Sequence, residues 1–464
     1  MTGPAAPAAP SPGATSPFGI RGVIEGYYGR PWTHEQRLAL IDFLAERGMD
    51  TFMYGPKDDP LVRRDWRVPY DGEALARLTE LVERCRARGM TFAWCISPGL
   101  SIRYSDTADR AALLAKIASV VAVGARRIAL LLDDIPTELQ HPEDQAAYAA
   151  LVDAHIDLVG AVFAALPREV GLIVCPTTYW GRGTEPYLAA LGQAIDRRID
   201  VFWTGREICS PVLDLSDAAI FTRTADRPPL YWDNYPVNDV AMGYELHIGP
   251  YRGRDPHLWR ASAGIIANGM ELFQSSLIPF ATIADYLRDP EGYDPEASWA
   301  RAIRDVAGEA DAEAFTLFAD NVRSSCLNQE DAHLLGETLG PALFRLDQGD
   351  HAGAGAAIGA LADRYLAAAD HLLRGPVANP ALIAECRPWL LGFELGAQAL
   401  RRLADLLSAG PLTSEGTAEL RAFLIRLRRA RVRVFGDGLE MTLSDLTGMM
   451  FRPGEVPELE GASL

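Results

Sequence analysis

Two adjacent carboxylates, Asp133 and Asp134, close an apolar run that reads Arg126-Arg-Ile-Ala-Leu-Leu-Leu-Asp-Asp-Ile-Pro136. The run is short and follows Gly124, which fits a buried parallel strand better than a helix. In a parallel sheet with helical crossovers, the C-terminal end of a strand is where chemistry sits. Two unpaired acids there are costly as mere packing, because burying a charge needs a partner or a raised pKa. In a regular strand adjacent side chains point to opposite faces, so both acids reach one pocket only where the strand has ended or bent. Pro136 helps to stop it. The competing reading is a solvated loop, or a cap for the helix that follows.

The elements that must hold this pair alternate along the first part of the chain. Strand candidates are Gly19–Gly26, Thr51–Pro56, Thr91–Pro98, Arg126–Asp134, Gly171–Tyr179, Asp200–Gly205, Leu230–Asn234 and Met270–Ser275. Helical periodicity lies between them at His34–Arg47, Gly72–Arg88, Thr107–Val123, Asp144–Leu166 and Glu185–Ile195, and after them at Ile278–Leu287. Eight strand–helix units predict an α/β fold, a (β/α)8 TIM barrel over residues 18–288. A doubly wound sheet is the alternative, but its glycine fingerprint after the first strand is missing. From 289 to 435 the chain turns Ala/Leu/Arg-rich, with helical periods at Phe315–Leu346, Leu361–Arg374, Pro388–Leu407 and Ser414–Val434. This predicts an all-α helical bundle domain. Residues 1–17 are expected to form a disordered leader, and 436–464 a Gly/Pro-punctuated C-terminal tail.

The chain has 464 residues and a net charge of −18. That charge argues against a nucleic-acid partner or an anionic membrane surface. No run is long and apolar enough to span a bilayer, and the N-terminus lacks a secretory signal, so a cytoplasmic location is the expectation. The six cysteines are scattered and none forms a Cys-x-x-Cys pair. They are expected as reduced thiols, not as disulfides or a zinc site.

If the barrel is right, chemistry belongs at the strand C-termini. Those ends carry Glu25-Gly26-Tyr27-Tyr28, Tyr54-Gly55-Pro56-Lys57-Asp58-Asp59, Asp133-Asp134, Cys175-Pro-Thr-Thr-Tyr179-Trp180, Trp203-Thr-Gly205 and Trp232-Asp-Asn234 through Asp239. Asn268 lies just ahead of the eighth strand candidate. Aromatic walls with carboxylate, amide and lysine tips suit a sugar, whose C–H faces pack on rings and whose hydroxyls bind polar tips. Asp58, Asp59, Asp133 and Asp134 are oxygen ligands of the kind Mg²⁺ takes. The histidines are dispersed, which argues against zinc, and a Gly-x-Ser-x-Gly nucleophile elbow is absent.

These residues resemble glycoside hydrolase family 84, the retaining β-N-acetylglucosaminidases that include the protein O-GlcNAc hydrolases. The resemblance is carried by Gly22-Val-Ile-Glu-Gly-Tyr-Tyr-Gly-Arg-Pro-Trp32, Tyr54-Gly-Pro-Lys-Asp-Asp-Pro60, Leu132-Asp-Asp-Ile135, Cys175-Pro-Thr-Thr-Tyr179, Val201-Phe-Trp-Thr-Gly205, Trp232-Asp-Asn234 with Asn238-Asp239, and Gly249-Pro-Tyr-Arg-Gly-Arg254. It implies substrate-assisted catalysis, in which the sugar's 2-acetamido oxygen attacks its own anomeric carbon and gives an oxazoline. By resemblance, Asp133 holds the acetamido N–H and Asp134 is the general acid and then the base. Gly26 and Lys57 contact sugar hydroxyls, Asp239 takes O4 and O6 with Asn268 beside it, and Asn234 supports the acetamido group. Tyr179, Trp232 and Cys175 line the acetyl pocket. Thr178, Arg206 and Gly269 depart from the family's usual glutamate, proline and proline.

The resemblance therefore implies an exo-acting hydrolase of terminal GlcNAc, O-GlcNAc on Ser/Thr included, with no cofactor and no metal. Its expected partner is a GlcNAc-bearing glycopeptide or glycan, and a homodimer is compatible with the sequence. A hyaluronidase-like hydrolase of longer glycans is the alternative within the enzymes. A catalytically silent sugar-binding module is the reading from another class, and a Mg²⁺-dependent lyase using the same acids is a fourth.

Overall fold

The computed structural model describes residues 16–449. Residues 1–15 of the expected leader and the end of the tail from 450 lie outside the described residues. Eight parallel strands close into a barrel in chain order: β1 (Ile20–Glu25), β2 (Thr51–Tyr54), β3 (Thr91–Ile96), β4 (Arg127–Leu131), β5 (Gly171–Cys175), β6 (Asp200–Trp203), β7 (Leu230–Asp233) and β8 (Gly264–Asn268). The ring closes where Ile20–Ile24 of β1 run in register with Gly264–Asn268 of β8. The helices between and after the strands are α1 (His34–Glu46), α2 (Gly72–Ala87), α3 (Thr107–Ala122), α4 (Pro142–Ala147), α5 (Leu151–Ala165), α6 (Pro186–Ala194), α7 (Leu215–Ala225) and α8 (Phe273–Arg288).

The barrel interior is filled by side chains two residues apart on successive strands. Ile20 and Ile24, Met53, Ala93 and Cys95, Ala129 and Leu131, Ile173 and Cys175, Phe202, Leu230 and Trp232, and Ile266 form one buried cluster. Because strand side chains alternate, this parity runs on into the strand ends. Two residues past Ile24, Leu131, Trp232 and Ile266 stand Gly26, Asp133, Asn234 and Asn268. The phase that packs the floor is thus the phase that furnishes the mouth.

Packing divides the chain into two units. One comprises residues up to Asp239, with Tyr251–Phe273 and Phe280–Pro295; the other comprises Val240–Pro250, Gln274–Pro279 and Glu296 onward. The sequence boundary at Arg288 falls inside this interleaving. The second unit holds α9 (Pro295–Ala307), α10 (Ala312–Asp320), α11 (His333–Asp347), α12 (His351–Arg374), α13 (Pro380–Ser408), α14 (Ser414–Arg429) and α15 (Gly438–Thr447). Phe393 of α13 is its aromatic centre, with Tyr365, Phe318 and Phe435 rings 5.0, 5.8 and 5.6 Å away. The segment Val240–Pro250 joins this unit through backbone carbonyls: Trp389 Nε1 donates to Tyr244 O at 3.0 Å and Trp299 Nε1 to Ile248 O at 2.7 Å.

Several elements differ from the sequence reading. The eighth strand is Gly264–Asn268, not Met270–Ser275; its short Gly-Ile-Ile-Ala run ends at Asn268, and the later segment leads into α8 from Phe273. Asn268 therefore ends the strand instead of preceding it. The helix read as Asp144–Leu166 is two helices. Its pattern is continuous through Ala146–Ala150, but Tyr148 and Ala150 are extended. Buried Asp144 is taken by the Tyr104 and Ser105 amides, a tertiary claim that periodicity cannot show. Helix α7 went unread; Asp214 caps it by accepting from Asp217 N at 2.8 Å. The Phe315–Leu346 period breaks between α10 and α11, and the tail includes α15. All six cysteines are free thiols.

Candidate functional site

The end of β4 shows how two adjacent acids come to share one cavity. Leu132 N continues the ladder to Cys175 O at 2.8 Å, but Leu132 O is taken by the Thr177 hydroxyl at 2.7 Å. Asp133 follows in the interior phase. Asp134 would point away, and it returns to the mouth because its φ is +51°, the left-handed region that a non-glycine residue enters at some cost.

Asp133 is buried. One carboxylate oxygen forms an ion pair with the Lys57 ammonium, itself buried, and the other, Oδ1, has no hydrogen-bond partner among the described residues. Burial pulls the Lys57 ammonium downward, but the Asp133 carboxylate, with Tyr28 and Asp134, outweighs it and holds Lys57 well above its ordinary value. The ammonium also lies 5.6 Å from the Trp232 ring centre and 5.7 Å from that of Tyr28, within cation–π range.

Asp134 is about a third exposed, 34% for its side chain. The Tyr28 hydroxyl donates to one oxygen at 2.8 Å and the Tyr179 hydroxyl to the other at 3.0 Å. Lys57 Nζ is 3.8 Å away. Burial pulls this carboxyl upward; the Lys57 charge, the two phenol hydroxyls and Arg63 outweigh it and hold it below the usual carboxylate range. The same contacts push the Tyr179 phenol well up, burial first and the Asp134 charge second.

The remaining residues singled out by sequence join through a second network. Trp232 Nε1 donates to Asn234 Oδ1 at 2.8 Å, Asn268 Nδ2 donates to the same oxygen at 3.0 Å, and Gly26 N donates to Asn268 Oδ1 at 3.1 Å. Asn234 Nδ2 is anchored on Ile208 O at 2.8 Å. Gly26 is glycine for a packing reason: a Cβ there would stand 2.6 Å from the Trp232 ring. Asp239 accepts from Tyr28 N at 2.7 Å, and burial leads the shift of its carboxyl upward. Cys175 belongs to the barrel cluster with Trp232, and burial holds its thiol protonated, well above the ordinary range. All ten residues singled out, Gly26, Lys57, Asp133, Asp134, Cys175, Tyr179, Trp232, Asn234, Asp239 and Asn268, thus lie at strand ends or in the loops just beyond.

Two participants had no role assigned from sequence. Tyr28 was visible only as one more strand-end aromatic, and Arg63 lies deep in the loop after β2 without a motif. The four acids considered for Mg²⁺ do not gather. Asp58 accepts from Gly29 N at 3.1 Å, and Asp59 accepts from the Tyr54 hydroxyl at 2.6 Å and from Leu61 N at 2.9 Å. Among the described residues no cluster of three or more His, Cys, Asp or Glu side chains is placed to hold a metal ion. A separate cavity of about 370 Å³ is lined by Asp58, Asp59, His34, Arg37 and Arg77, but not by Asp133 or Asp134.

Comparison with known proteins gives first the class, a glycosidase, and then the family. Residues 21–320 match the family model described as beta-N-acetylglucosaminidase. The chain belongs to this family, as its motifs implied. It is 30% identical to protein O-GlcNAcase of Rattus norvegicus over 303 residues, covering 61% of this chain and 33% of that one. The Mus musculus protein O-GlcNAcase gives 30% over 302 residues, 60% and 33%. The chain spans about a third of the length of these curated relatives. A mutant of the Thermobaculum terrenum O-GlcNAc hydrolase superposes with a TM-score of 0.87 at 32% identity, over 93% of this chain and 95% of that one. CpGH84B gives 0.82 at 26%, over 93% and 77%.

Proposed function

We propose that the chain is a retaining, exo-acting β-N-acetylglucosaminidase that removes terminal GlcNAc, including O-GlcNAc from Ser and Thr of proteins, with the sugar's own acetamido oxygen as nucleophile. The observation that carries this reading is Asp133 Oδ1: a buried carboxylate oxygen beside an ion pair, with no partner among the described residues. Leaving such an atom unpaired is costly, and an acetamido N–H would satisfy it. Bound so, the amide gains negative charge at its N–H, and its carbonyl oxygen becomes the better nucleophile toward the anomeric carbon. That oxygen forms the new C1–O bond while the glycosidic C1–O bond breaks, and Asp133 offsets the positive charge of the oxazoline ring.

Asp134 serves both steps. It gives a proton to the departing oxygen, then takes one from the water that attacks C1 and reopens the ring with overall retention. Its carboxyl is ionised in the free site, so it gains its proton in the substrate complex. A sugar seated over Asp133 excludes water and competes with the Tyr28 and Tyr179 hydroxyls, which leaves burial to pull the carboxyl upward. Lys57, Asp239, Asn268 and the Gly26 edge are the polar tips for the sugar's hydroxyls; Trp232, Tyr179 and Cys175 wall the acetyl group. The names of the relatives, protein O-GlcNAcase and O-GlcNAc hydrolase, support the substrate class.

The deciding experiment compares aryl β-GlcNAc with the aryl β-glucoside that carries a hydroxyl in place of the acetamido group. Hydrolysis of the first and inertness of the second is the expected result. Comparable turnover of both, or a sugar trapped covalently on a protein side chain, would remove the mechanism.

A further inference from the structure

The loop that follows β2 carries Lys57 at its start and a second cation, Arg63, farther on. It is pinned at the two residues before Arg63. Ser97 N donates to Val62 O at 2.9 Å, and Lys116 of α3 donates to Leu61 O at 2.5 Å. The Lys116 ammonium lies 5.0 Å from the Tyr70 ring centre and 6.0 Å from that of Trp94, so this anchor is itself buried among rings.

From this fixed base Arg63 reaches Asp134 by two routes. Nη1 donates to the Tyr28 hydroxyl oxygen at 2.8 Å, and that hydroxyl donates onward to Asp134 Oδ2 at 2.8 Å. Nη2 reaches the main-chain carbonyl of Asp134 at 3.4 Å. The geometry fixes a direction. A guanidinium cannot accept, so a phenol oxygen that accepts from it must send its own proton elsewhere, here to Asp134. The second contact falls on a residue whose φ is +51°, in the left-handed region. A guanidinium fork can serve two divergent acceptors at once, and an ammonium serves them poorly.

We propose that Arg63 is a positioning residue for Asp134, aiming its carboxylate through Tyr28 and holding its backbone directly. The inference rests on the reading of Asp134 as the group that protonates the leaving oxygen. The charged and titratable groups facing Asp134 are Lys57, Arg63, Tyr28 and Tyr179, with Asp133 adjacent and Asp239 joined to the Tyr28 backbone. Loss of Arg63 removes one of the two cations that keep this carboxyl ionised.

The test uses Arg63→Met and Arg63→Lys with two aryl β-GlcNAc substrates, one releasing 2,4-dinitrophenol, which departs without help, and one releasing phenol, which needs a proton. Arg63→Met is expected to lose about 10²-fold in kcat on the phenyl substrate and less than about tenfold on the dinitrophenyl one, the range open to general acid catalysis. Its basic limb of kcat should move to higher pH. Arg63→Lys should return the limb toward wild type while regaining only part of the phenyl rate. Melting curves confirm that both variants are folded. With wild-type turnover of both substrates as reference, equal losses on the two and an unmoved limb overturn the positioning role and leave the glycosidase reading standing. Unchanged kinetics in Arg63→Met overturn it as well.

Discussion

Two kinds of buried-charge cluster stand at strand ends of the same barrel, and they differ in one respect. Just inside the end of β7, Asp233 is complete: Arg254 grips it with two bonds, Nε to Oδ2 at 2.9 Å and Nη2 to Oδ1 at 2.5 Å, and the Tyr251 hydroxyl donates to Oδ2. Glu25 of β1 is similar, with Arg37 donating at 2.6 and 2.8 Å and Trp32 N at 2.9 Å. Beyond the end of β4 the pattern stops short. Asp133 is paired on one side only, and Asp134 is held by two hydroxyls in partial contact with solvent. A closed cluster can only support the fold. An open one has capacity to bind, and under the proposed function that incompleteness sets Asp133 and Asp134 apart from the acids that only support the fold.

The sharpest way to break this contrast is to neutralise one acid of each kind. Asp134→Asn should lower hydrolysis of an unactivated aryl β-GlcNAc by about 10²–10⁴-fold while leaving the melting temperature nearly unchanged, since the side chain is partly exposed and strands no buried cation. Asp133→Asn should lose a similar share of rate, with Lys57 keeping Asp134 as a neighbour. Wild-type-like turnover in either variant would end the assignment.

Asp233→Asn should do the reverse. It leaves the buried Arg254 guanidinium without its counter-charge, and breaking such a pair costs about 3–5 kcal/mol. In a chain of this size, thermal unfolding should come about 3–5 °C earlier. The fraction still folded should turn over substrate within a few-fold of wild type. A full-length melting curve beside an active-site titration separates the two quantities; a stable but inactive Asp233→Asn would erase the distinction between the clusters.

Why the open cluster was legible in sequence and the closed one was not follows from how each is encoded. Strand parity is local: Ala129 and Leu131 share the interior phase of β4, and counting two residues on puts Asp133 on the same inward side. The Asp133-Asp134 pair, Lys57 and the strand-end aromatics could therefore be placed at one mouth from spacing and resemblance. The pairing of Asp233 with Arg254 joins residues on different elements, and no period or motif signals it. Arg63 was invisible for the same reason. Asn268 was found but misplaced, because Gly264-Ile-Ile-Ala and Met270-Glu-Leu-Phe are both short stretches with apolar residues and only register with β1 settles which is the strand. The left-handed turn at Asp134 was foreseen only as a need for the strand to end or bend; its form is a backbone fact.

A finer test acts on the hydrogen bonds of the open cluster. Tyr179→Phe removes the hydroxyl that donates to Asp134 Oδ1 and favours the ionised carboxyl. The carboxyl should then titrate higher. Because the acid works only while protonated, and gains its proton in the substrate complex, kcat falls as pH rises through its titration there, so the basic limb of kcat should move to higher pH. A loss of about tenfold in rate should accompany it, the typical worth of one hydrogen bond to a charged group. A limb that stays in place, or moves to lower pH, would detach Tyr179 from the acid and leave it as a wall of the pocket alone.

The smallest effect marks the border between the two kinds of region. Cys175 sits at the top of the barrel core and beneath the proposed acetyl pocket, with its thiol held protonated by burial. A protonated, buried thiol is a poor nucleophile and packs as a small apolar group. Cys175→Ala should therefore cost about 1 kcal/mol in a urea melt, and kcat should stay within a few-fold of wild type. Iodoacetamide at pH 8 should leave Cys175 unmodified in the folded protein. If Cys175→Ala instead loses as much rate as Asp134→Asn while keeping its stability, the thiol belongs with the reacting groups, and the line between packing floor and open cluster must be drawn one layer lower.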